Sequence, residues 1–271
     1  MSEISVRPKG PLREFVQKIA FVDCKFRAGT LTPLSPRPEP GISIMFPGST
    51  SLANIDQSGR RQYPPPAMLV GPQSQRNFSI IGGGRFTGLN IMFQPTGFFR
   101  LFHQPLQEIR DQMFDACTVL GPEFRALVDA VQQPAPLTAK TALVERFLLS
   151  MVPDSRSASA VTRITTAGAY SLGGGPAGSL TTSYGISVRQ LERQFLEQVG
   201  MSPKRFELLV RFRYALRSQV GTGGGSWTSA THDAGYCDQS HLIKDFRRLT
   251  GFTPSEYLDA IAPIADAEMF D

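Results

Sequence analysis

Two short stretches of this sequence place arginine, lysine and serine side chains at helical spacing, where they suit hydrogen bonding to nucleic-acid bases and phosphates. In the first stretch, Arg189 and Arg193 lie outside the apolar stripe of a predicted helix. In the second, Ser240 and Lys244 hold outward positions. A guanidinium group matches the acceptors of guanine, and an ammonium group can serve a base or a phosphate. The two stretches therefore predict a pair of helices that read DNA.

The predicted DNA contacts include the first turn of each helix as well as its outward face, because recognition helices meet bases through their N-terminal residues. The full set is Ser187, Arg189, Gln190, Glu192, Arg193, Gln194, Gln239, Ser240, His241, Lys244 and Arg247. His241 could touch a phosphate, or it could simply lie on the helix surface.

Both stretches carry the signals that begin a helix. Ser187 stands three residues before Gln190, which is the spacing of a capping box. Asp238 holds the capping position of the second stretch. Gly185 and Gly235 precede the caps, and each supplies a left-handed turn that a bulkier residue would resist.

The two stretches belong to a degenerate duplication. Gly200-Met201-Ser202-Pro203 recurs 51 residues later as Gly251-Phe252-Thr253-Pro254, and the same offset pairs Leu191 with Leu242. One copy alone would be interpreted as an amphipathic helix with a solvated face. Two copies in register, each with a glycine turn and a capped helix, favour paired helix-turn-helix modules.

A further helix is predicted between the two modules. Ser202 and Pro203 can cap and start it, and it runs to about Val220 with Leu209 and Phe212 on one face. At 1.5 Å per residue its length is roughly 26 Å. Such a brace would hold two reading helices near the roughly 34 Å spacing of successive major grooves on one DNA face.

Residues 160–260 resemble the DNA-binding domain of the AraC/XylS family of bacterial transcription regulators. The resemblance is carried by three segments beside the glycine-proline repeats: Gly185–Phe195, Ala234–Leu242 and Phe246–Arg248. It implies a domain of seven helices that inserts two recognition helices into DNA and controls a promoter, which makes RNA polymerase a partner of any activator.

The resemblance also implies which side chains face bases. By position these are Arg189, Glu192, Arg193, Ser240 and Lys244. The chain departs from the family pattern at two glycine-rich stretches, 173–178 and 221–225, which are expected to be flexible connectors rather than phosphate loops. It departs again at Trp227, where an aliphatic residue is common.

The first half of the chain predicts a different architecture. Short β-like segments separated by turn residues favour a small antiparallel barrel or sandwich, and they are Ile42–Phe46, Ala67–Val70, Phe78–Ile81 and Gly88–Phe93. Helical spacing follows in Gly97–His103, Leu106–Phe114, Glu123–Gln132 and Thr138–Met151, the last capped by Thr138. The predicted fold class is α+β, with an all-α C-terminal domain of two helix-turn-helix modules joined by a helix.

This half resembles, through Pro40–Gly48, Val70–Gln73 and Leu89–Phe99, the barrel-like regulatory half of some family members. That resemblance implies effector binding, homodimer formation or both. The helix at 138–151 could be a dimer contact or an intradomain packing helix. His103 is expected to be ordinary packing, and the sequence nominates no cofactor, no metal and no particular effector.

Composition and charge limit the classes of function that the sequence could have. The net charge is +5, with 16 Lys and Arg against 11 Asp and Glu in residues 1–153 and 12 against 9 in residues 154–260, so charge alone does not locate a DNA surface. No apolar run reaches about 18 residues. The scattered Cys24, Cys117 and Cys237 suit a reducing cytoplasm.

These observations predict a cytoplasmic regulator that is not an enzyme, with residues 1–153 regulatory, 154–260 DNA-binding and 261–271 a C-terminal tail. The alternative is a ligand-binding or enzymatic N-terminal domain whose helical repeat has become a protein-interaction module. Salt-dependent binding to DNA separates the two hypotheses, because phosphate contacts release counterions.

Overall fold

The computed structural model describes residues 2–49, 52–153, 158–168, 185–221 and 227–265. Its strands are β1 Ser2–Val6, β2 Val16–Pro33, β3 Gly41–Met45, β4 Leu52–Asp56, β5 Arg61–Gln62, β6 Ala67–Val70, β7 Phe78–Phe93 and β8 Met113–Asp115. A short 3-10 helix, Gly10–Glu14, joins β1 to β2. The N-terminal part is therefore a β structure, as predicted.

Pairing between strands curls the sheet. The order is β1-β2-β7-β3-β6-β8, and β4 pairs with both β5 and β7. Every pairing is antiparallel, and β2 and β7 run beside each other from Val16 opposite Phe93 to Pro33 opposite Ser79. One end of β7 pairs with β4 and the other with β3, so β7 connects the two parts of the curled sheet.

The strand β7 differs from the prediction, which divided it into Phe78–Ile81 and Gly88–Phe93. The glycine run between those segments reads as a break in sequence, yet the strand continues through it. A register shift in the partner strand between Phe26 and Thr30 lies opposite these glycines. Irregular pairing of this kind bends a strand without ending it.

The helices of the described residues are α1 Gly97–Phe102, α2 Leu106–Ile109, α3 Ala116–Gln132, α4 Leu137–Ser150, α5 Ala160–Gly168, α6 Val188–Val199, α7 Pro203–Gly221, α8 Trp227–Asp233, α9 Gln239–Thr250 and α10 Pro254–Ala265. The helix α3 is kinked at Gly121, whose φ of 82° interrupts it before Pro122. The predicted helix Leu106–Phe114 is wrong in its second half, because the helix ends at Ile109 and β8, which pairs with β6, begins at Met113.

Two details of the predicted helices are corrected. Thr138 is not the cap of α4, which starts at Leu137 after Pro136 and has no side-chain cap. Its inner face buries Val144 and Leu148 in the N-terminal core, which fits the packing role. His103 is not packed but exposed, in the left-handed conformation that ends α1.

The two larger hydrophobic cores of the described residues are built from different parts of the sequence. The first joins the sheet to α1–α4 and centres on Phe15, Phe93 and Phe98. The second lies among α5–α10 and centres on Phe212 and Phe246. The α+β arrangement of a β-rich first part and a helical last part is therefore confirmed.

The two parts meet along a seam of hydrogen bonds. Arg110 Nη1 donates to the carbonyl of Gly200 at 3.2 Å. The backbone N–H of Arg76 donates to the carbonyl of Leu249 at 2.7 Å. These contacts attach the first part of the chain to the last turns of α6 and α9.

The C-terminal boundaries differ in detail from the prediction. The helix α10 continues to Ala265, and Ile261 is buried in the second core, so the segment predicted as a tail from 261 begins inside a helix. The predicted connectors at 173–178 and 222–225 lie outside the described residues, as do residues 154–157 of the predicted linker.

Candidate nucleic-acid interface

The first of the two helices predicted to read DNA, α6, is bounded by local sequence signals. The Ser187 hydroxyl accepts a hydrogen bond from the Gln190 N–H at 3.2 Å, which satisfies a free donor of the first turn. Gly200 ends the helix in the left-handed conformation, with φ of 79°. Leu191 and Phe195 are buried on the inner face, so the other face is left to solvent.

The second reading helix, α9, repeats this construction. A carboxylate oxygen of Asp238 accepts from the His241 N–H at 2.8 Å, and Gly251 ends the helix at φ of 83°. Leu242 and Phe246 are buried on its inner face. Both predicted caps are confirmed, and so are the left-handed turns at Gly185 and Gly235 (φ 62° and 73°).

The brace α7 connects the two reading helices through aromatic contacts. Phe206 on α7 packs edge to face against Phe195 of α6, with ring centroids 5.8 Å apart. Phe212, two turns further on, lies 4.7 Å from the ring of Phe246 on α9. Trp227 packs against the same Phe246 at 5.4 Å, so the aromatic side chain that departs from the family pattern belongs to this core.

Most of the predicted contact residues lie on the surface. Exposed side chains on or beside α6 and α9 are Ser187, Arg189, Gln190, Glu192, Arg193, Gln239, Ser240, Lys244 and Arg247. Arg189 and Arg193 are one turn apart on one face of α6, and Ser240 and Lys244 are one turn apart on one face of α9. Each helix thus presents hydrogen-bonding groups on the side away from the core.

Two predicted residues are less accessible. Gln194 is half-buried, and its Oε1 is buried with no hydrogen-bond partner among the described residues. It is one position past Arg193 and so is rotated about 100° from it, toward the protein. The His241 ring packs edge-on against Tyr236 at 5.5 Å, and its Nε2 is 3.9 Å from Asp245 Oδ2. The placement of His241 at the edge of the surface keeps both its predicted roles open.

A group of basic residues near the interface was missed by sequence reasoning. Lys204, Arg205 and Arg211 on α7 and Arg248 on α9 line a cleft between the two modules. The residue Arg110, from the first part of the chain, lines the same cleft. No local pattern indicates this grouping; only the adjacency of Arg247 and Arg248 hinted at it.

The curled sheet encloses a second feature that the sequence did not predict, a cavity of about 170 Å³. Alternation along β2 directs every second residue from Lys18 to Phe26 into it. Its polar lining includes Arg37 and Ser43, and the Ser43 hydroxyl donates to Asn90 Oδ1. Burial lowers the pKa of the Arg37 guanidinium to about 10, so the group stays charged at neutral pH.

Two further features of the described residues concern membrane spans and metal sites. No helix among them is long and apolar enough to cross a membrane. They contain no group of three or more His, Cys, Asp and Glu side chains arranged to hold a metal ion. Burial raises the pKa of the Cys24 thiol to about 11, which disfavours the reactive thiolate.

Comparison with known proteins bears on both parts of the chain. A family model described as a helix-turn-helix domain matches residues 180–260. A second model, a domain of unknown function (DUF6597), matches residues 4–115. No curated protein matches the chain.

Solved structures of ToxT from Vibrio cholerae share the fold over nearly the whole chain. One is 11% identical, with a TM-score of 0.53, and the match covers 89% of this chain and 98% of that one. Wild-type ToxT of strain SCE256 with bound unsaturated fatty acid is 12% identical, with a TM-score of 0.52 over 92% and 97% of the two chains. ToxT of strain O395 bound to (E)-4-(8-methylnaphthalen-1-yl)but-3-enoic acid is 11% identical, with a TM-score of 0.52 over 90% and 99%.

At such identities the likeness to ToxT concerns the fold, whereas the match to the helix-turn-helix model concerns the sequence itself. That match includes both capped helices, both glycine turns and the brace between them. The signature predicted from Gly185–Phe195 and Ala234–Leu242 is thereby confirmed. The chain therefore carries a helix-turn-helix domain of the AraC type over residues 180–260, in a fold shared with ToxT.

Proposed function

We propose that this protein is a sequence-specific transcription regulator that inserts α6 and α9 into successive major grooves of promoter DNA. The observation that carries the proposal is the pair of capped helices, each with a polar exposed face, joined by one brace and one aromatic core. The brace has 19 residues and so is about 28 Å long. That length suits two helices separated by roughly one turn of DNA, about 34 Å.

The exposed side chains suggest different roles for α6 and α9 in DNA binding. Arg189 and Arg193 carry guanidinium groups that can bond guanine in two places at once. Ser240 can bond to several bases, and Lys244 can contact either a base or a phosphate. Base reading by α6, with a larger phosphate component at α9, is the arrangement that these residue types favour.

The proposed activity is tested by DNA binding as a function of salt. Fragments of genomic DNA retained by the protein supply a specific duplex, and fluorescence anisotropy then measures its affinity between 50 and 200 mM salt. With about six to ten phosphate contacts, affinity is expected to fall by about 10³- to 10⁵-fold over that range.

The Lys244→Ala variant refines this test. If Lys244 contacts a phosphate, affinity falls equally on specific and scrambled duplexes, and the salt slope becomes shallower by about 1. If the protein retains no DNA fragment at 50 mM salt, or if its affinity for DNA does not change with salt, the alternative hypothesis of a protein-interaction module would be favoured instead.

We also propose that the first part of the chain controls DNA binding through the seam. Arg110 and Arg76 hold the last turns of α6 and α9, respectively, so a shift of the first part moves both reading helices. Arg213 on the brace forms an ion pair with Glu39. Because Arg213 also lines the sheet cavity, an occupant of that cavity would touch the brace directly.

The chemistry of the cavity suggests the class of effector. Its walls are mainly apolar, with Val22, Phe26 and Ile42 among them, and Lys18 and Arg37 supply positive charge. An apolar molecule that carries a single carboxylate matches both properties. The unsaturated fatty acid and the arylbutenoic acid bound by ToxT are molecules of this class.

The effector proposal predicts a preference for the acid over its ester. The probe is (E)-4-(8-methylnaphthalen-1-yl)but-3-enoic acid, compared with its methyl ester by calorimetry. Because hydrogen bonds to a charged group contribute about 1.5–3 kcal/mol, the acid is expected to bind at least about tenfold more tightly. Equal affinity of acid and ester, or no binding of either, would refute a carboxylate site.

The remaining predictions concern the domain boundaries, the partners and the location of the protein. We propose residues 1–153 as the regulatory domain and 154–260 as the DNA-binding domain. The absence of enzymatic activity, contact with RNA polymerase, homodimer formation and a cytoplasmic location stay predictions.

A further inference from the structure

The cleft between the two helix-turn-helix modules concentrates positive charge. We name it the basic cleft and define it by Arg110, Lys204, Arg205, Arg211 and Arg248, together with the carboxylate of Asp245. Its volume is about 600 Å³. Five cationic side chains thus line it with one carboxylate, which leaves a net charge of +4 in this lining.

The cations of the basic cleft are close enough to repel one another. The pKa of Arg205 is lowered first by burial and next by the charge of Arg248, and Arg110 lowers it further. The carboxylates of Asp245 and Asp111 act in the opposite direction. The same positive charges of Arg248 and Arg110 that lower the Arg205 pKa would attract an anion placed among them.

The nearby carboxylates do not neutralise the basic cleft. Asp111 Oδ2 forms an ion pair with Arg110 Nε at 3.5 Å, and the same carboxylate accepts hydrogen bonds from the Ser74 hydroxyl at 2.7 Å and from Asn77 Nδ2 at 2.6 Å. Asp245 Oδ2 is buried with no hydrogen-bond partner among the described residues. When Asp111 is counted with Asp245, the five cations of the basic cleft still exceed the nearby carboxylates by three charges.

The basic cleft also contains a hydrogen-bond donor that has no partner among the described residues. Arg211 Nε is buried and has no hydrogen-bond partner among the described residues, although its guanidinium lies 5.3 Å from the ring of Tyr236. Burial of an unpaired charged donor is costly. Arg205 uses one nitrogen to donate to the carbonyl of Ser74, and its guanidinium has no second hydrogen bond among the described residues.

We propose that the basic cleft binds a phosphate group. Planar guanidinium forks match the oxygens of phosphate and bond them in pairs, and a dianion suits a lining of this charge better than a single carboxylate does. The phosphate could be carried by a small phosphorylated molecule or by the DNA backbone. Since Arg110 belongs to the first part of the chain, the bound phosphate would join that part to both modules.

Inorganic pyrophosphate is the probe for this site. Calorimetry with the full chain, at constant ionic strength set with sodium chloride, is expected to detect sub-millimolar binding. Arg248→Gln and Lys204→Gln each remove one charge from an exposed side chain of the cleft, and each is expected to weaken binding about tenfold. The matched control is Arg146→Gln, an exposed arginine on α4, which should leave the affinity unchanged.

Competition with DNA then identifies the source of the phosphate. If the DNA backbone supplies it, pyrophosphate displaces a retained duplex at constant ionic strength, and Arg248→Gln weakens DNA binding. If a small molecule supplies it, pyrophosphate binds the free protein and the DNA complex with the same affinity. Only this comparison rests on the proposed DNA-binding function.

Two results would overturn the proposal. One is the absence of pyrophosphate binding in the unsubstituted protein. The other is an equal loss of affinity in Arg146→Gln and in the two cleft variants, which would mean that pyrophosphate responds to total charge. Unfolding curves of each variant guard against loss of structure, and neither Lys204 nor Arg248 is buried.

Discussion

Replacement of Arg193 by alanine is expected to weaken binding to a specific duplex by about 1–3 kcal/mol, or roughly 5- to 150-fold, with relaxed preference at one base position. Arg193 is exposed on α6, one turn after Arg189 and on the same face. The variant would lose the bidentate bond to guanine that is proposed for Arg193. Anisotropy titrations of matched and base-substituted duplexes measure the effect.

The control for Arg193 is Arg146→Ala, which removes the same charge from an exposed position on α4, far along the chain. A scrambled duplex provides the second control. An equal loss of affinity by Arg193→Ala on matched and scrambled duplexes would reject a base-reading role and assign the residue to phosphate contact. No loss on either duplex would remove it from the interface.

Substitution of Gly200 by alanine is expected to have the largest effect on the seam. The φ of Gly200 is +79°, where an L residue costs about 1–2 kcal/mol. An added Cβ would also lie 2.8 Å from the carbonyl oxygen of Leu106, which belongs to the backbone of α2. One of the two helices must therefore move, at a further cost of about 1–3 kcal/mol.

Gly251→Ala is a matched control for this variant. Gly251 ends α9 as Gly200 ends α6, with φ of +83°, but among the described residues its added Cβ would meet only the Arg76 side chain, at 3.6 Å. Both substitutions carry the left-handed penalty, and only Gly200→Ala carries the clash. Urea unfolding can be followed by the fluorescence of Trp227, the one tryptophan of the sequence. The free energy of unfolding of Gly200→Ala is expected to be lower than that of Gly251→Ala by about 1–3 kcal/mol.

Equal destabilisation by the two glycine variants would mean that α2 does not press on α6 as the structure describes. With the expected result, Gly200→Ala also tests control through the seam. The variant keeps the exposed Arg189 and Arg193, so it is expected to bind specific DNA, with an affinity changed by the displacement of α6. Its response to an effector acid should be reduced, because the contact between α2 and α6 has shifted.

Much of the reading surface could be predicted from sequence because its determinants are local. Ser187 and Asp238 cap helices through bonds to the backbone three residues away. Left-handed glycines and apolar stripes at helical spacing act over similarly short ranges. Gln194 is half-buried, which the helical angle alone did not predict, because side-chain accessibility also depends on what packs beside the helix.

The β-rich part was predicted less completely because its strands depend on partners. The strand β2 is 18 residues long and went unrecognised, since alternation in it is interrupted and its pairing with β7 is what extends it. Glycines within β7 suggested a turn, and only the partner strand shows that the chain continues through them. Nonlocal hydrogen bonds decide strand length in such cases.

The sequence by itself determined the two capped helices, their brace and the residue types they expose, because caps, turns and periodicity act within a few residues along the chain. Only the tertiary structure decided the seam, the cavity and the basic cleft. Arg110 bonds Gly200 across 90 positions, and Arg213 pairs with Glu39 across 174. Contacts between residues so far apart follow from how the cores pack, and no short pattern encodes them.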